Sequence, residues 1–302
     1  MLDLKDIKIG IVTVTYNAEL HIKDFINSVN KQKKVNYSIY CIDNNSKDKT
    51  LNIIEKFKND RWVVLNNKSN YGVAKGNNQG IRKSILDGND YTLLLNNDTT
   101  FPQNFFYGLT NFALKKSKEI VVPEIFFYDY PEQLWCNGGY FSTLRGYTGV
   151  HYDRNLTKEY SKDRESCEYA PTCAMLIKNS VFSRIGLMDE YYFAYWDDTD
   201  FCMRLKKSGL KIFIDHSSYL YHKVGLSTGG PRSKFTVYIT SRNRLYFISK
   251  FYGIYTLIAW LPIFIGLYIY KFLIISFSPM NFLIALEGSW HYFNKFRKQG
   301  YC

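Results

Sequence analysis

The strongest constraint on the fold is the rhythm of the first hundred residues. Residues 8–14 are a short apolar run rich in β-branched side chains, bounded by Thr15-Tyr16-Asn17, the pattern of a buried strand that ends in a loop. Ile22, Phe25, Ile26 and Val29 then recur at helical spacing. Residues 37–42 form a second strand closing on Asp43-Asn44-Asn45-Ser46, and Ile53, Ile54 and Phe57 mark a second helix. Residues 62–65 are a third strand, and 91–95 a fourth that ends at Asn96-Asn97-Asp98. Strands that are apolar throughout, alternating with helices, predict an open, mostly parallel sheet covered by helices on both faces. Ligands of such α/β sheets collect beyond the carboxyl ends of the strands. Each polar cluster just named lies there.

Asp43 closes the second strand. An acid there holds a ribose hydroxyl in dinucleotide-binding folds, but no G-x-G-x-x-G follows the first strand, which disfavours that fold. Two readings stay open: a carboxylate that accepts the N3–H of uracil or thymine, or an Asx-turn acid serving Asn44-Asn45-Ser46. Residues 70–80 join the third strand to a helix. Within them Gly72 and Gly76 permit close backbone approach, Lys75 adds charge, and the helix N-terminus favours an anion; the alternative is a plain Gly-Asn turn. Asp98 is a hard oxygen ligand placed for a divalent ion that bridges a diphosphate, with a turn acid as the alternative.

A second concentration of chemistry lies at residues 192–204. Tyr192, Phe193, Tyr195 and Trp196 run into Asp197, Asp198 and Asp200, after which Phe201, Leu205 and the stem of Lys206 recur at helical spacing. Lys206 and Lys207 fall in the last turn and Gly209 supplies the stop. Capping the helix, the commonest task of Asp at such a place, occupies one carboxylate and leaves the other for chemistry. Residues 120–123 and 174–177 read as strands, and Val181, Phe182 and Ile185 as a short helix stopped by Gly186. Residues 141–166, polar, charged and rich in aromatics, read as a mobile loop or hairpin. His222 follows the strand at 211–214 and reads by default as a surface histidine.

Residues 251–277 are almost wholly apolar and aromatic, broken only by Lys271, with Pro262 and Gly266 inside. Their uncharged core, 254–270, is marginal against the roughly 20 residues a bilayer crossing takes. His291, Lys295, Arg297 and Lys298 follow, and a single crossing would put this basic tail opposite a cytoplasmic catalytic domain, against the positive-inside tendency. A kinked segment in the membrane interface, or a re-entrant hairpin, fits better; the alternative is a buried helical pair in a soluble protein. The formal net charge of +12 favours anionic partners such as phosphorylated small molecules or a membrane surface. Basic residues are dispersed instead of forming the stripe a nucleic acid would need. Six cysteines lack C-x-x-C or metal-ligand spacing, and charges occupy the N-terminal residues where a signal peptide needs an apolar run. That pattern reads as free thiols in a reducing cytoplasm, the alternative being a Cys167–Cys173 disulfide.

Ile42-Asp43-Asn44-Asn45-Ser46, Gly72-Val73-Ala74-Lys75-Gly76-Asn77, Leu95-Asn96-Asn97-Asp98 and Trp196-Asp197-Asp198-Thr199-Asp200, in this order, resemble the motifs of the inverting glycosyltransferases of family 2. The similarity extends from residues 11–17 to Arg242-Asn243-Arg244-Leu245 and is greatest to the bacterial rhamnosyltransferase and galactofuranosyltransferase group that builds surface polysaccharides. The combination is specific where no single motif is. The resemblance implies the α/β GT-A nucleotide-sugar-binding fold over residues 1–245, with a nucleotide-sugar half to about 115 and an acceptor half beyond it, and a C-terminal membrane-associating helical region over 246–302. It implies an enzyme that moves a sugar, with rhamnose from dTDP-rhamnose as the leaning, onto a hydroxyl of a lipid-linked glycan at the inner face of the cell membrane. The implied partners are a nucleoside-diphosphate sugar, the glycan acceptor and the membrane surface, with no nucleic acid; a homo-oligomer stays open.

By position in these motifs, Thr15, Tyr16, Asn17, Asp43, Asn45, Gly72, Lys75, Gly76, Asn77 and Asn97 would contact the donor, with Asp43 at the base. Asp98 and His222 would hold a Mn²⁺ or Mg²⁺ cofactor, and Asn96 stands where the family's Asp-x-Asp motif has its first acid. Asp198 would be the general base, Asp197 would orient the acceptor, and Tyr195 and Trp196 would offer flat faces to a sugar ring. The chemistry sets the same requirements. In a single displacement the attacking hydroxyl needs a base on its side of the anomeric carbon, and the departing diphosphate needs positive charge. A non-catalytic nucleotide-sugar binder would have lost Asp198, Asp98 or His222. A nucleotidyltransferase would need a basic Gly-rich loop directly after the first strand, where Thr15-Tyr16-Asn17 stands.

Overall fold

The computed structural model describes residues 6–157, 162–225, 229–230 and 232–298, with side chains to residue 294. The first five residues, the side chains of Lys295, Arg297 and Lys298, and Cys302 therefore fall outside the described residues. The first half alternates as its sequence demands: β1 (Lys8–Thr15), α1 (Ile22–Asn30), β2 (Asn36–Asp43), α2 (Thr50–Phe57), β3 (Trp62–Asn66), α3 (Gly72–Leu86) and β4 (Tyr91–Leu95). There follow β5 (Thr99–Thr100), α4 (Phe105–Lys115), β6 (Ile120–Phe127), β7 (Leu134–Cys136), β8 (Gly139–Ser142), β9 (Thr148–His151), β10 (Ser166–Cys167) and β11 (Ala174–Lys178). The sheet portion ends with α5 (Ser180–Ile185), a 3₁₀ turn at Glu190–Tyr192, α6 (Asp197–Lys207) and β12 (Ile212–His222).

The chain divides into two compact units. The first comprises Met1–Phe141, Gly149–Phe193 and Asp197–Val224. Its strands run in the order β10-β12-β6-β11-β4-β1-β2-β3, with β5 on β12 and β7 on β6. Alternation of side chains along β1 decides what each face holds. Ile9 and Ile11 join Ile22, Phe25, Ile26 and Val29 of α1 in one core layer, and Val12 joins Ala74 and Ile81 of α3 in the other. Parallel pairing of β1 with β2 sets Thr15 beside Asp43, and that of β2 with β3 sets Asp43 beside Asn66. Three strand ends thus meet at one edge.

The expectation of a mostly parallel sheet holds for β4-β1-β2-β3 and for β12 with β6. It needs correction at β11, which runs antiparallel to both β4 and β6. An apolar run such as Ala-Met-Leu-Ile reads the same in either direction, and only the chain's point of entry fixes it. Here the chain enters at the carboxyl edge, where Asn96 N donates to Cys173 O at 2.9 Å. β12 is also longer than its apolar pattern, because a bulge interrupts its register between Asp215 and Tyr219. Buried Asp215 holds that bulge by accepting from Ser217 N, Ser217 Oγ and Ser218 Oγ. The five described cysteines are free and buried, so Cys167 and Cys173 form no disulfide.

The second unit comprises Ser142–Thr148, Ala194–Trp196 and Gly225–Cys302. It carries α7 (Lys234–Tyr252), α8 (Ile254–Tyr268), a π-helical stretch at Ile269–Ile275 and α9 (Pro279–Lys298). From Gly225 onward α7 groups with the C-terminal helices. Ser233 caps α7 by accepting from Thr236 N. Gly288 lets α9 approach α7, since a Cβ there would come within 2.4 Å of Tyr238 O. Ile254–Ile275 is one helical run long and apolar enough to cross a membrane, and only 17% of its most apolar stretch is buried. Ile258, Ile263, Leu267, Ile274 and Phe277 stand exposed. A buried helical pair would have hidden them.

Candidate functional site

The edge where β1, β2 and β4 end is tied together by side chains that reach from one loop to the next. Asp43, fully buried, accepts from Ser46 N at 2.9 Å and from Ser46 Oγ at 2.5 Å. The Asx turn left open by the sequence is therefore built, and Ser46 Oγ in turn accepts from Asn17 N. Asn17, at φ 49°, also accepts from Lys47 N through its side chain. Asn45 donates to Lys68 O at 3.1 Å, and Tyr16 stands 42% exposed at the rim. The hydroxyls of Thr13 and Thr15 are buried without a hydrogen-bond partner among the described residues.

Gly72 opens α3 at φ +82°, and a Cβ there would lie 2.3 Å from Phe193 O. That carbonyl accepts from Val73 N, so the helix start is joined to the segment leading into α6. Lys75 Nζ lies over the Tyr71 ring at 4.3 Å, a cation–π contact at the rim. Gly76 and Asn77, expected to contact the donor, also meet neighbours within the fold. A Cβ on Gly76 would fall 2.8 Å from Val14, and buried Asn77 points its amide at Met188 Sδ. Asn97 is likewise engaged, donating to Val14 O at 2.6 Å and meeting His21 Nε2 at 2.9 Å.

His222 is not a surface residue: it is 7% exposed and lies with equally buried Asp98 where β12 meets β5. His222 Nε2 and Asp98 Oδ1 are 3.1 Å apart, but not along a hydrogen-bond direction, and Asp98 Oδ1 and His222 Nδ1 have no hydrogen-bond partner among the described residues. Trp135 packs edge-on to the imidazole at 4.7 Å. Burial alone would push the Asp98 carboxyl up; the His222 ring overrides it and holds the pKa below the usual carboxylate range. Burial would push His222 down, yet Cys173 and Asp98 together drive it well above its usual value. Two buried donors, one hard oxygen and one imidazole, are the chemistry a divalent ion uses. No group of three or more His, Cys, Asp or Glu side chains is arranged to hold a metal among the described residues.

The acids of α6 fall into three different environments. Asp200, wholly buried, accepts from Arg204 Nε at 2.7 Å and from Tyr192 OH at 3.2 Å, which makes it a structural anchor. Asp197 is 5% exposed, and burial, then the charge of Asp198, push its pKa up to about 8. Asp198 retains partial exposure. Its Oδ1 accepts from Thr199 N at 2.6 Å, and its Oδ2 from Tyr169 OH at 3.0 Å. Burial raises the Asp198 pKa, and the bonds from Tyr169 and Thr199 oppose the rise. Both carboxyls are thus raised, and only that of Asp198 is opposed by side-chain hydrogen bonds.

The segment before α6 is held in an uncommon conformation. Phe193, Tyr195 and Trp196 all have positive φ, at 55°, 60° and 69°, which side chains larger than glycine's adopt at a cost of about 1–3 kcal/mol each. Within the second unit, buried Asn243 of α7 donates to both Ala194 O and Tyr195 O at 2.9 Å. One amide thus holds two consecutive carbonyls of the strained segment. Trp196 is only 8% exposed, packed on Phe247 and beneath the Arg244 guanidinium. Its expected role as an open face for a sugar needs correction. Tyr195, whose hydroxyl meets Thr236 Oγ1 at 3.3 Å, is the more accessible ring.

The family model described as glycosyl transferase family 2 matches residues 10–186, from β1 through α5. The chain belongs to this family. It is a glycosyltransferase. It is 23% identical over 240 residues to the low-salt glycan biosynthesis hexosyltransferase Agl10 of Haloferax volcanii, covering 78% of this chain and 74% of the relative. It is 24% identical over 246 residues to the N-acetylglucosaminyl-diphospho-decaprenol L-rhamnosyltransferase of Mycobacterium tuberculosis, covering 74% and 78%. Among solved structures, residues 1–349 of S. aureus TarS in complex with UDP are similar with a TM-score of 0.55 at 17% identity. That likeness covers 80% of this chain and 66% of the TarS chain, and it shows the GT-A fold. Divalent metals are common in GT-A glycosyltransferases, and the Asp98–His222 pair fits that chemistry.

Three side chains of this glycosyltransferase carried no site signal in the sequence reading. Asn243 lies within the Arg-Asn-Arg stretch that supported the family resemblance, but an amide at 0% exposure inside a helix is the physical sign of its task. Cys173 and Tyr169 lie on the segment that enters β11, and nothing local distinguishes them. Only the fold brings them to Asp98, His222 and Asp198.

Proposed function

We propose that this enzyme catalyses inverting transfer of a sugar from a nucleoside diphosphate to a hydroxyl of a lipid-linked glycan, with Asp198 as general base. The observation that carries the reading is the adjacent pair on α6: burial raises both carboxyls, and at Asp198 the bonds from Tyr169 and Thr199 oppose the rise and leave that carboxylate aimed from a fixed place. In the reaction the acceptor oxygen forms a bond to the anomeric carbon as the bond to the diphosphate oxygen breaks. The hydroxyl proton passes to Asp198, and the nucleoside diphosphate departs from the opposite face. Neutral Asp197 donates a hydrogen bond that orients the acceptor. The elevated pKa of Asp198 suits a base, because proton transfer is most efficient when the base lies nearer the working pH.

On the donor side, Thr15, Tyr16, Asn17, Asp43, Asn45, Gly72, Lys75, Gly76, Asn77 and Asn97 form the nucleotide-facing edge in this reading, with Asp43 accepting from a pyrimidine N3–H. Asp98 and His222 would hold Mn²⁺ or Mg²⁺, which supplies positive charge for the departing diphosphate. Lys75 adds a second positive charge at the rim. The M. tuberculosis relative, named for an L-rhamnosyl transfer to a diphospho-decaprenol lipid, supports a dTDP-rhamnose donor and a lipid-linked acceptor here. The exposed apolar run at Ile254–Ile275 supports attachment at the inner face of the membrane, where such an acceptor would present its sugar.

The test is a panel of nucleotide sugars in a thermal-shift screen, since a ligand that binds the folded state raises its melting temperature. Transfer by wild type and Asp198→Asn is then measured with the donor that binds. The variant should lose about 10²–10⁴-fold in turnover while keeping donor affinity. Near-normal turnover of Asp198→Asn would refute the assignment.

A further inference from the structure

We propose that Tyr169 is a positioning residue for this base: its phenol, seated in a slot made by two glycines, fixes the direction in which the Asp198 carboxylate faces the acceptor. The inference rests on Asp198 being the base. A carboxylate held at one oxygen swings about its Cβ–Cγ bond. α6 itself holds only Oδ1, through Thr199 N and Thr199 Oγ1, and Tyr169 OH supplies the hold on Oδ2 at 3.0 Å.

The ring has little freedom to aim elsewhere. A Cβ on Gly149 of β9 would stand 2.6 Å from Tyr169 Cδ2 and Cγ, and one on Gly139 of β8 would stand 3.0 Å from Cδ1. His151 lies against the ring with centroids 5.7 Å apart, and Phe141 meets it edge-on at 6.1 Å. The backbone is clamped as well, since Tyr169 N donates to Gly139 O. A phenylalanine would fill this slot equally well, so packing does not account for the hydroxyl. A buried phenol needs a hydrogen-bond partner, and Asp198 is the partner it has.

The groups that face the pair leave its proton inventory simple. Burial and then Asp198 drive the Tyr169 phenol well above its usual value, so it stays a donor at every working pH. Burial pushes the thiols of Cys202 and Cys136 up and holds His151 neutral, at about 4. Asp200 is occupied by Arg204 and Tyr192. Glu168, next to Tyr169, is paired with Lys206 at 2.7 Å. That leaves Asp198 to shape the acid limb of a pH–rate profile, since Asp197 acts in its neutral form. Because the Tyr169 bond favours the charged carboxylate, its removal moves that limb to higher pH.

The experiment compares Tyr169→Phe, Gly149→Ala and Asp198→Asn in the full chain. Tyr169→Phe should lower kcat about tenfold at the optimum, the effect of losing one hydrogen bond to a charged group. It should also move the acid limb of kcat to higher pH, with the KM for the nucleotide sugar unchanged. Gly149→Ala keeps the phenol but crowds its ring, and should move the limb in the same direction. Wild-type kcat and an unmoved limb in Tyr169→Phe, with Asp198→Asn inactive, would overturn the positioning role alone. An active Asp198→Asn would overturn the base assignment and this inference with it.

Discussion

Asp197→Asn should make the enzyme more stable at neutral pH, and increasingly so as pH rises. In the folded chain the Asp197 pKa is raised from 3.8 to about 8, chiefly by burial and secondly by the charge of Asp198. A group whose folded pKa is raised contributes stability that is fully present below its unfolded pKa and is lost as pH climbs through the folded one. The window is therefore about pH 4 to pH 8, within which the unfolded chain releases a proton that the folded chain retains. Each pH unit in that window costs about 1.4 kcal/mol. Asparagine preserves the shape and removes the titration. Between pH 5 and pH 7 the stability gained by the variant over wild type should thus grow by about 3 kcal/mol, which in a chain of this size is roughly 6–12 °C of melting temperature. Thermal melts of both proteins in the same detergent, at several pH values, read this directly. A difference that does not change with pH would refute the claim that Asp197 is a neutral acid in the folded protein.

Asp98→Ala and His222→Ala should each weaken Mn²⁺ binding in calorimetry and lower donor affinity, as expected on removal of a direct ligand; full activity in chelator would contradict that site. Ile258, Ile263, Leu267 and Ile274 replaced by Ser should reduce flotation with anionic vesicles by tenfold or more, because each buried aliphatic side chain contributes about 1.5–3 kcal/mol, while melting temperature stays near wild type. Asn243→Ala strands the carbonyls of Ala194 and Tyr195 without their shared donor, and should cost about 1–3 kcal/mol in stability, measured by denaturant titration.

The sheet was legible because its evidence is local. Each strand of the first half is an uninterrupted apolar run with a polar stop, and β4 ends at Leu95 as its pattern indicates. What depended on distance was not legible. His222 read as a surface residue because its partner, Asp98, lies on a strand end far away in the chain. The Asp43 carboxylate was left between two roles, since an Asx turn and a ligand contact need the same residue at the same place. Trp196 read as an open ring because the residues that cover it, Arg244 and Phe247, come from α7. Gly76 read as a ligand glycine because helix–strand contact and backbone exposure both call for a missing Cβ, and its contact with Val14 shows only in the fold. The direction of β11 and the grouping of α7 with the C-terminal helices are likewise properties of packing, with no trace in residue spacing.

The central claim is a single displacement at the anomeric carbon, with one carboxylate acting as base on the acceptor side. The configuration of the product's new glycosidic bond tests it most directly. The full chain is given the nucleotide sugar it binds and a short soluble analogue of the lipid-linked acceptor, and the one-bond C–H coupling at the transferred anomeric carbon is read by NMR. A single displacement predicts the anomeric configuration opposite to that of the donor. Retention of the donor's configuration would require two successive displacements or attack from the face the diphosphate leaves, and either would contradict the role assigned to Asp198.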